Sequence, residues 1–430
     1  METLAIGARG PQVELLQLAL IRAGFSTIGM DGIFGQQTLS ALQEFQTISG
    51  LPPTGVTDTE TRRAILPYLT GYRTHTIRAG DTFFSLARIY GTTTEAITAA
   101  NPGVSPSVLQ IGQTLTIPLG FDVVPTNIRF SSTVLDYCVQ GLAARYPFIS
   151  TDMIGKSIIG KSLHVLSIGT GGSEIFYNAS HHANEWLTTP VLMHFLENYA
   201  KSFASGTAIG GISAAEMYET ATLYLVPMVD PDGVDLVTEE LTSGVFYDYA
   251  YMLAENYPQY PFPYAWKANI RGVDLNLQYP AGWEDAREIK FDQGFTLPGP
   301  RDFVGRRPLS EPESFAVYQF TRNHDFQLTM SYHSQGEVIY WKYRDYLPPN
   351  SFEIAMEFAR LSGYLVEETP YASGNAGYKD WFIQDYNRPG YTIEVGRGVN
   401  PLPIGQFDRI YRNNEAMLAL GTVITSRLGA

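Results

Sequence analysis

Apolar runs of strand length recur through residues 126–425: SLHVLSIGT, EIFYNAS, TLYLVPMV, FQLTMSYHS, VIYW and GYTIEVG. Helical stretches such as TTPVLMHFLENYAKSF and LPPNSFEIAMEFARLSGY lie between several of them. Strands that are apolar on both faces and alternate with helices predict a parallel or mixed sheet covered on both sides. The expected fold class of this segment is α/β, an α/β/α arrangement around a mixed sheet. In such folds ligands collect at the carboxyl ends of the strands.

The first 120 residues read differently. In QVELLQLALIRAGF, Val13, Leu16, Leu18, Leu20 and Ile21 fall near one helical stripe, and Leu39, Leu42 and Phe45 recur at spacings of three. A third helix is expected in TDTETRRAIL, with Thr57 or Asp58 as its N-cap. Residues 1–70 therefore predict a three-helix bundle, and the stretch Asp31–Gln46 (DGIFG, then T, AL and FQ) resembles the peptidoglycan-binding three-helix domain. Residues 72–120 begin and end with short strand patterns, His75–Ile77 and Thr114–Ile117. Two short helices lie between them, capped by Asp81 or Thr82 and by a residue of Thr92–Thr94, and Asn101-Pro102 closes the second. This βααβ unit, with AGDT, AANPG and IGQTLTIP, resembles a LysM domain over its whole length. The resemblance implies binding to N-acetylglucosamine-containing glycans, with both modules together raising avidity. A third domain is expected over 125–430.

Of 430 residues 44% are hydrophobic and 17% charged, an ordinary globular composition. A net charge of −14 argues against nucleic-acid binding. The single cysteine, Cys138, excludes an intrachain disulfide and a cysteine-rich metal site. No run of 18 apolar residues predicts a membrane span. METLAIGARGPQVELL lacks a basic n-region followed by an apolar core, so a Sec signal peptide is not expected in it.

One apolar run, EIFYNA, leads straight into SHHANEW. A helical turn there would put His182 and Glu185 on one face, and imidazole with carboxylate suits zinc. A catalytic zinc needs a third protein ligand and an open position. Among the seven histidines, His333 follows another strand run and is best placed to reach the same sheet edge. His194 falls inside a helix, His164 inside a strand, His75 in the βααβ unit, and His324 at the opposite sheet edge. His181 points away from His182 along an extended chain and is expected to pack. On spacing alone SHHANEW remains equally a polar turn.

The remaining motifs tip that balance. HHANEW, VDPDGVD, RGVDLNLQYPAGW, SYHSQG, YASGNAGYKDW and YTIEVG, in this order, resemble segments of the carboxypeptidase A-like zinc metallopeptidases. The resemblance implies one Zn²⁺ per catalytic domain, held by His182, Glu185 and His333, with Glu394 as general base. It implies Tyr371 as the tyrosine that folds over substrate, with Tyr378 as a rival, and Asn276 as a contact to a substrate carboxylate. Arg271 is the nearest cation to the family's oxyanion-stabilising arginine. The chain departs from the family at Asp230, where asparagine is usual, at Asn184, where arginine is common, and at Leu277. In carboxypeptidases an arginine at the last position grips the substrate's free carboxylate, which leucine cannot do. An endopeptidase, or recognition of a carboxylate from another direction, is therefore expected.

With two wall-binding modules, and with SSTVLDYCVQGLAARYPF and SIIGKSLHVLSIGTG, the chain resembles the γ-D-glutamyl–diamino-acid peptidases of bacterial peptidoglycan. This implies cleavage between γ-D-glutamate and meso-diaminopimelate or lysine. It also implies binding to glycan strands and stem peptides, action as a monomer, and a site at the cell wall, outside the cell or in a spore compartment. Lys379, Arg397 and Arg271 are the candidate partners for the substrate's charged ends. The competing readings are a wall-binding protein without activity and a zinc peptidase or amidase acting on another wall bond.

Overall fold

The computed structural model describes residues 1–27 and 29–428. They form two compact units, Met1–Ser150 and Thr151–Ala430.

The first unit opens with α1 (Pro11–Arg22), α2 (Gln36–Ile48) and α3 (Thr59–Thr70). Val13, Leu16, Leu18 and Leu20 of α1 are buried, whereas Ile21 faces solvent. Asp58 is the cap of α3, accepting the Thr61 N–H at 2.8 Å. Two buried glutamines fix the loops between these helices. Gln17 donates to Asp31 at 2.7 Å and accepts from the Gly32 N–H at 3.0 Å. Gln46 donates to Thr61 at 2.9 Å and accepts from the Gly55 N–H at 2.9 Å. Each amide satisfies both of its hydrogen-bonding ends indoors, as burial requires.

Next come β1 (Tyr72–Thr76), α4 (Phe83–Tyr90), α5 (Thr94–Ala100) and β2 (Thr114–Pro118), with the strands antiparallel. Thr82 and Ser85 form a reciprocal capping box and Thr93 caps α5. Ile77, Phe83, Leu86, Ile97, Leu115 and Ile117 make its core. The Asn101 amide spans α5 and β2, bonding the Ile97 and Thr116 carbonyls at 2.7 Å each. His75 is structural here, between Tyr90 (2.9 Å) and Asp81 (2.8 Å). A further helix, α6 (Ser132–Arg145), crosses α3 so closely that a Cβ on Gly141 would meet the Thr70 carbonyl oxygen at 2.2 Å.

The second unit is built on an eight-stranded mixed sheet of order β11-β10-β12-β9-β5-β8-β4-β3. Its strands are β3 (Ser150–Lys156), β4 (Ser162–Ile168), β5 (Ser173–Ala179), β8 (Ala221–Val226), β9 (Phe326–His333), β10 (Val338–Tyr340), β11 (Leu365–Glu367) and β12 (Gly390–Glu394). A short hairpin, β6 (Ala208–Ile209) and β7 (Ile212–Ser213), stands apart. The central strands β8, β5, β9 and β12 are mutually parallel. Their alternate residues bury on opposite faces, as the unbroken apolar runs require. Phe176 of β5 packs with Phe326, Tyr378, Trp381 and Phe382. Its neighbour Tyr177 points the other way and donates to the Leu418 carbonyl of the helix Phe407–Gly421 at 2.8 Å. No helix among the described residues is long and apolar enough to cross a membrane.

A group of acids is buried beside β3. Asp232 accepts from Ser157 at 2.8 Å, Lys161 reaches Asp235 at 2.5 Å, and Asn269 donates to Glu311 at 2.9 Å. Glu313 accepts the Ile158 N–H at 3.1 Å and the Asn269 amide N–H at 3.4 Å, and among the described residues it forms no ion pair. Burial pushes its carboxyl up to about 8. A carboxyl raised on folding binds its proton more tightly in the folded state, so its contribution is full below about 4.5 and is lost as pH rises to about 8. Urea midpoints of the zinc-loaded protein are therefore expected to fall across that interval, and to fall less steeply in Glu313→Gln.

Candidate metal centre and active site

Strand β5 ends at Ala179, and Ser180 turns the chain through a left-handed conformation (φ 51°). His182 then caps a single 3₁₀ turn, Ala183–Glu185. Residues three apart eclipse in such a turn, which brings His182 Nδ1 within 2.9 Å of Glu185 Oε1. His333 is the last residue of β9, and its Nδ1 lies 3.0 Å from His182 Nδ1 and 2.9 Å from Glu185 Oε2. All three are buried.

This donor set fits zinc. His182 Nε2 faces Asp274 Oδ1 at 3.1 Å, so that nitrogen carries the proton and Nδ1 turns its lone pair inward. Two inward ring nitrogens and a carboxylate share one focus, all within 4.8 Å of one another. Three protein ligands leave a position open for chemistry. Burial holds His333 below the usual imidazole range, in its neutral ligating form. Burial alone would raise Glu185, but the two imidazoles outweigh it and keep it ionised. His181 lies outside the focus: its Nε2 meets the Tyr279 hydroxyl at 2.9 Å and its ring stacks on His333.

Glu394 ends β12, directly opposite His333 in the parallel ladder. Burial and the Glu185 charge push its carboxyl up to about 8. It and the three donors line one cavity of about 570 Å³, together with Asn276, Leu277, Lys379 and Asn184. Asn276 sits in the 3₁₀ turn Leu275–Leu277 and accepts the Tyr378 N–H at 3.0 Å. Leu277 is 6% exposed and packs with Trp283, Ala286, Val304 and Ala376. Tyr371 is 81% exposed on the turn Tyr371–Ser373, whose neighbours Thr369, Pro370 and Ser373 line the cavity.

Three expected contacts fail. Tyr378 is a core residue: it is fully buried and its hydroxyl pairs with Thr321 at 3.0 Å, so it cannot meet substrate. Arg271 turns to the buried acids, 3.6 Å from Glu311, and does not line the cavity. Arg397, 71% exposed, pairs with Glu337 at 2.6 Å. Lys379 does line the cavity, but Asp380 (2.6 Å) and the Lys342 carbonyl (2.7 Å) hold its ammonium. Sequence reasoning missed Lys267, Asp274, Lys290, Arg301 and Asp302, all of which line the cavity. Asp274 had a signal, an acid two residues before Asn276 inside a quoted motif. The others stand outside any strand pattern.

The sequence pattern of the zinc carboxypeptidases matches residues 136–417. The chain belongs to the zinc carboxypeptidase family. As a member it is a metallopeptidase whose cofactor is zinc. A peptidoglycan binding domain pattern matches residues 9–65 and a LysM domain pattern 75–118. Gamma-D-glutamyl-L-diamino acid endopeptidase 1 of Lysinibacillus sphaericus is 43% identical over 286 residues, covering 66% of this chain and 70% of that protein. The uncharacterized protein YqgT of Bacillus subtilis (strain 168) is 39% identical over 276 residues, covering 64% of this chain and 72% of that protein. Bovine thrombin-activatable fibrinolysis inhibitor shares the fold, with a TM-score of 0.53 at 16% identity over 71% of this chain and 99% of that one.

Asp274 is placed to orient His182, a candidate zinc ligand, without itself joining the donor set. Asp274→Ala is expected to weaken zinc binding about 10- to 100-fold, and His333→Ala to abolish stoichiometric zinc. Competition with a chromophoric chelator, with metal analysis of the dialysed protein, measures both.

Proposed function

We propose that this chain hydrolyses the bond between γ-D-glutamate and the diamino acid, meso-diaminopimelate or lysine, in peptidoglycan stem peptides. The observation that carries this reading is Leu277. The triad and Glu394 line one cavity, yet the position that grips a free carboxylate in carboxypeptidases is part of a packed apolar cluster. The 43% identical relative is named for the proposed bond. The working division is a three-helix module over 1–70, a LysM module over 72–120 and the peptidase over 125–430. The first two would hold a monomeric enzyme on the wall, where tethering raises the effective concentration of stem peptides.

His182, Glu185 and His333 would hold the zinc. When bound, zinc supplies a Lewis acid that polarises the scissile carbonyl and makes water a better nucleophile. Glu394 accepts the proton of the attacking water and delivers it to the departing amine. Asp274 keeps the His182 ring in one tautomer. Asn276, whose oxygen accepts the Tyr378 N–H at 3.0 Å and whose Nδ2 lies 3.5 Å from His333 Nε2, has its second amide N–H to offer to substrate. Tyr371, exposed beside the cavity mouth, folds over the bound peptide.

Digestion of purified peptidoglycan is expected to release new amino termini on the diamino acid, read by mass spectrometry. New L-alanine termini would instead mean an amidase, and no products from the zinc-loaded enzyme would mean a binding protein. Glu394→Gln is expected to keep its zinc and to lose about 100- to 10,000-fold in kcat; full activity in that variant would overturn the assigned base.

A further inference from the structure

Apart from the triad and Glu394, the charged residues lining the cavity are Lys267, Lys290, Arg301 and Lys379 against Asp274, Asp302 and Asp380. The cations outnumber the acids by one. Most of them are spoken for. Lys379 is clamped by Asp380 at 2.6 Å, Lys290 by Asp302 at 2.8 Å, and Lys267 faces Asp274 at 3.4 Å. Arg301 is different. Only its Nε is engaged, by Asp302 at 2.5 Å, and its terminal nitrogens make no hydrogen bond to the described residues. Its side chain is 37% exposed, and its guanidinium lies over the Tyr260 ring, 5.4 Å from the centroid.

The arginine is also held in place. The Pro300 carbonyl accepts the N–H groups of Lys267 (2.6 Å) and Ala268 (3.0 Å), and the Lys267 carbonyl accepts the N–H of Ala183 (3.1 Å), which lies between two zinc ligands. One residue beyond Arg301, Asp302 adopts a left-handed backbone (φ 63°), costly for a residue with a Cβ and fixed here by its ion pairs. A guanidinium with one edge anchored, stacked on an aromatic ring and with its terminal nitrogens open to a cavity is built to receive a planar anion in two-pronged fashion.

We propose that Arg301 is the specificity-determining residue that receives the substrate's carboxylate, and that this carboxylate is the α-carboxylate of the γ-linked D-glutamate. The proposal rests on the reading of the substrate given above. It moves recognition of a carboxylate from the position of Leu277 to the wall formed by Lys267, Lys290 and Arg301. There a carboxylate on the acyl side of the bond would balance the surplus charge. A γ-linked glutamate is the natural acyl group for such a site, because its α-carboxylate stays free while its side-chain carbonyl is attacked.

The test uses the zinc-loaded full chain and three synthetic peptides: L-alanyl-γ-D-glutamyl-meso-diaminopimelate, the same peptide with the D-glutamate α-carboxylate amidated, and the same peptide amidated on the diamino acid. The wild type is expected to prefer the first over the second by roughly 10- to 100-fold in kcat/KM, the range of a hydrogen-bonded charged group, chiefly through KM. In Arg301→Gln the ratio is expected to fall towards one, and Arg301→Lys to keep part of it. Calorimetry with the dipeptide L-alanyl-D-glutamate and its α-amide should give the same ratio in Kd. An equal rate on the first two peptides in the wild type, or an unchanged ratio in Arg301→Gln, would overturn the proposal. So would a loss confined to the peptide amidated on the diamino acid. If no peptide is cleaved at the proposed bond the reaction assigned above fails, and the dipeptide's Kd ratio alone then decides the role of Arg301.

Discussion

Strand β9 hydrogen-bonds to β5 on one side and to β12 on the other, both in parallel. Parallel strands end at the same edge of a sheet, so the residues that follow Ala179 meet His333 and Glu394 there. This pairing lets donors 151 residues apart in sequence lie 3.0 Å apart in space. The register carries as much weight as the pairing. A slip of one residue in β9 would turn the His333 side chain to the other face. The strand is buried on both faces, and that burial holds the register.

The same edge explains the electrostatics. Burying two imidazoles and a carboxylate against one another costs free energy unless a cation or protons compensate. Asp274 fixes the proton of one ring on its outer nitrogen, and the inner lone pairs are left for a metal. Glu394 is held up near 8 by the burial and by the Glu185 charge. A dication at the focus would favour its ionised form, the form a general base needs. Loading of a metal would in this way be coupled to ionisation of Glu394 through distance alone.

The fold was legible because its signals are local. Unbroken apolar runs announced strands buried on both faces, and Asp58 and one residue of each threonine-rich candidate set, Thr82 and Thr93, became caps. His182, Glu185 and His333 come together as the sequence suggests because His333 ends β9 and the other two follow β5 within a single turn, at an edge where topology fixes the neighbourhood. The errors fall where topology gives no such guidance. Arg271 was drawn to Glu311, 40 residues on, a pairing that no local pattern encodes. Tyr378 looks polar in sequence, but it begins a helix whose apolar face includes Trp381 and Phe382, and the core took it. Lys267 and Arg301 lie in irregular segments without period or cap, so nothing in the string marked them.

The loss of the carboxylate-gripping arginine is more than a change of one side chain. Leu277 shares its cluster with Trp283, Ala286, Val304 and Ala376. A guanidinium placed there would displace packed apolar atoms and bury a charge, a cost that a bound carboxylate would offset only while substrate is present. Asp274, three residues before Leu277, is already committed to His182 and Lys267. The surrounding residues have thus been fitted to leucine, and the unspent positive charge stands at Arg301. On the proposed reading, the distinction between trimming a free end and cutting an internal bond would lie in where the cavity keeps its charge and where it is lined with hydrocarbon.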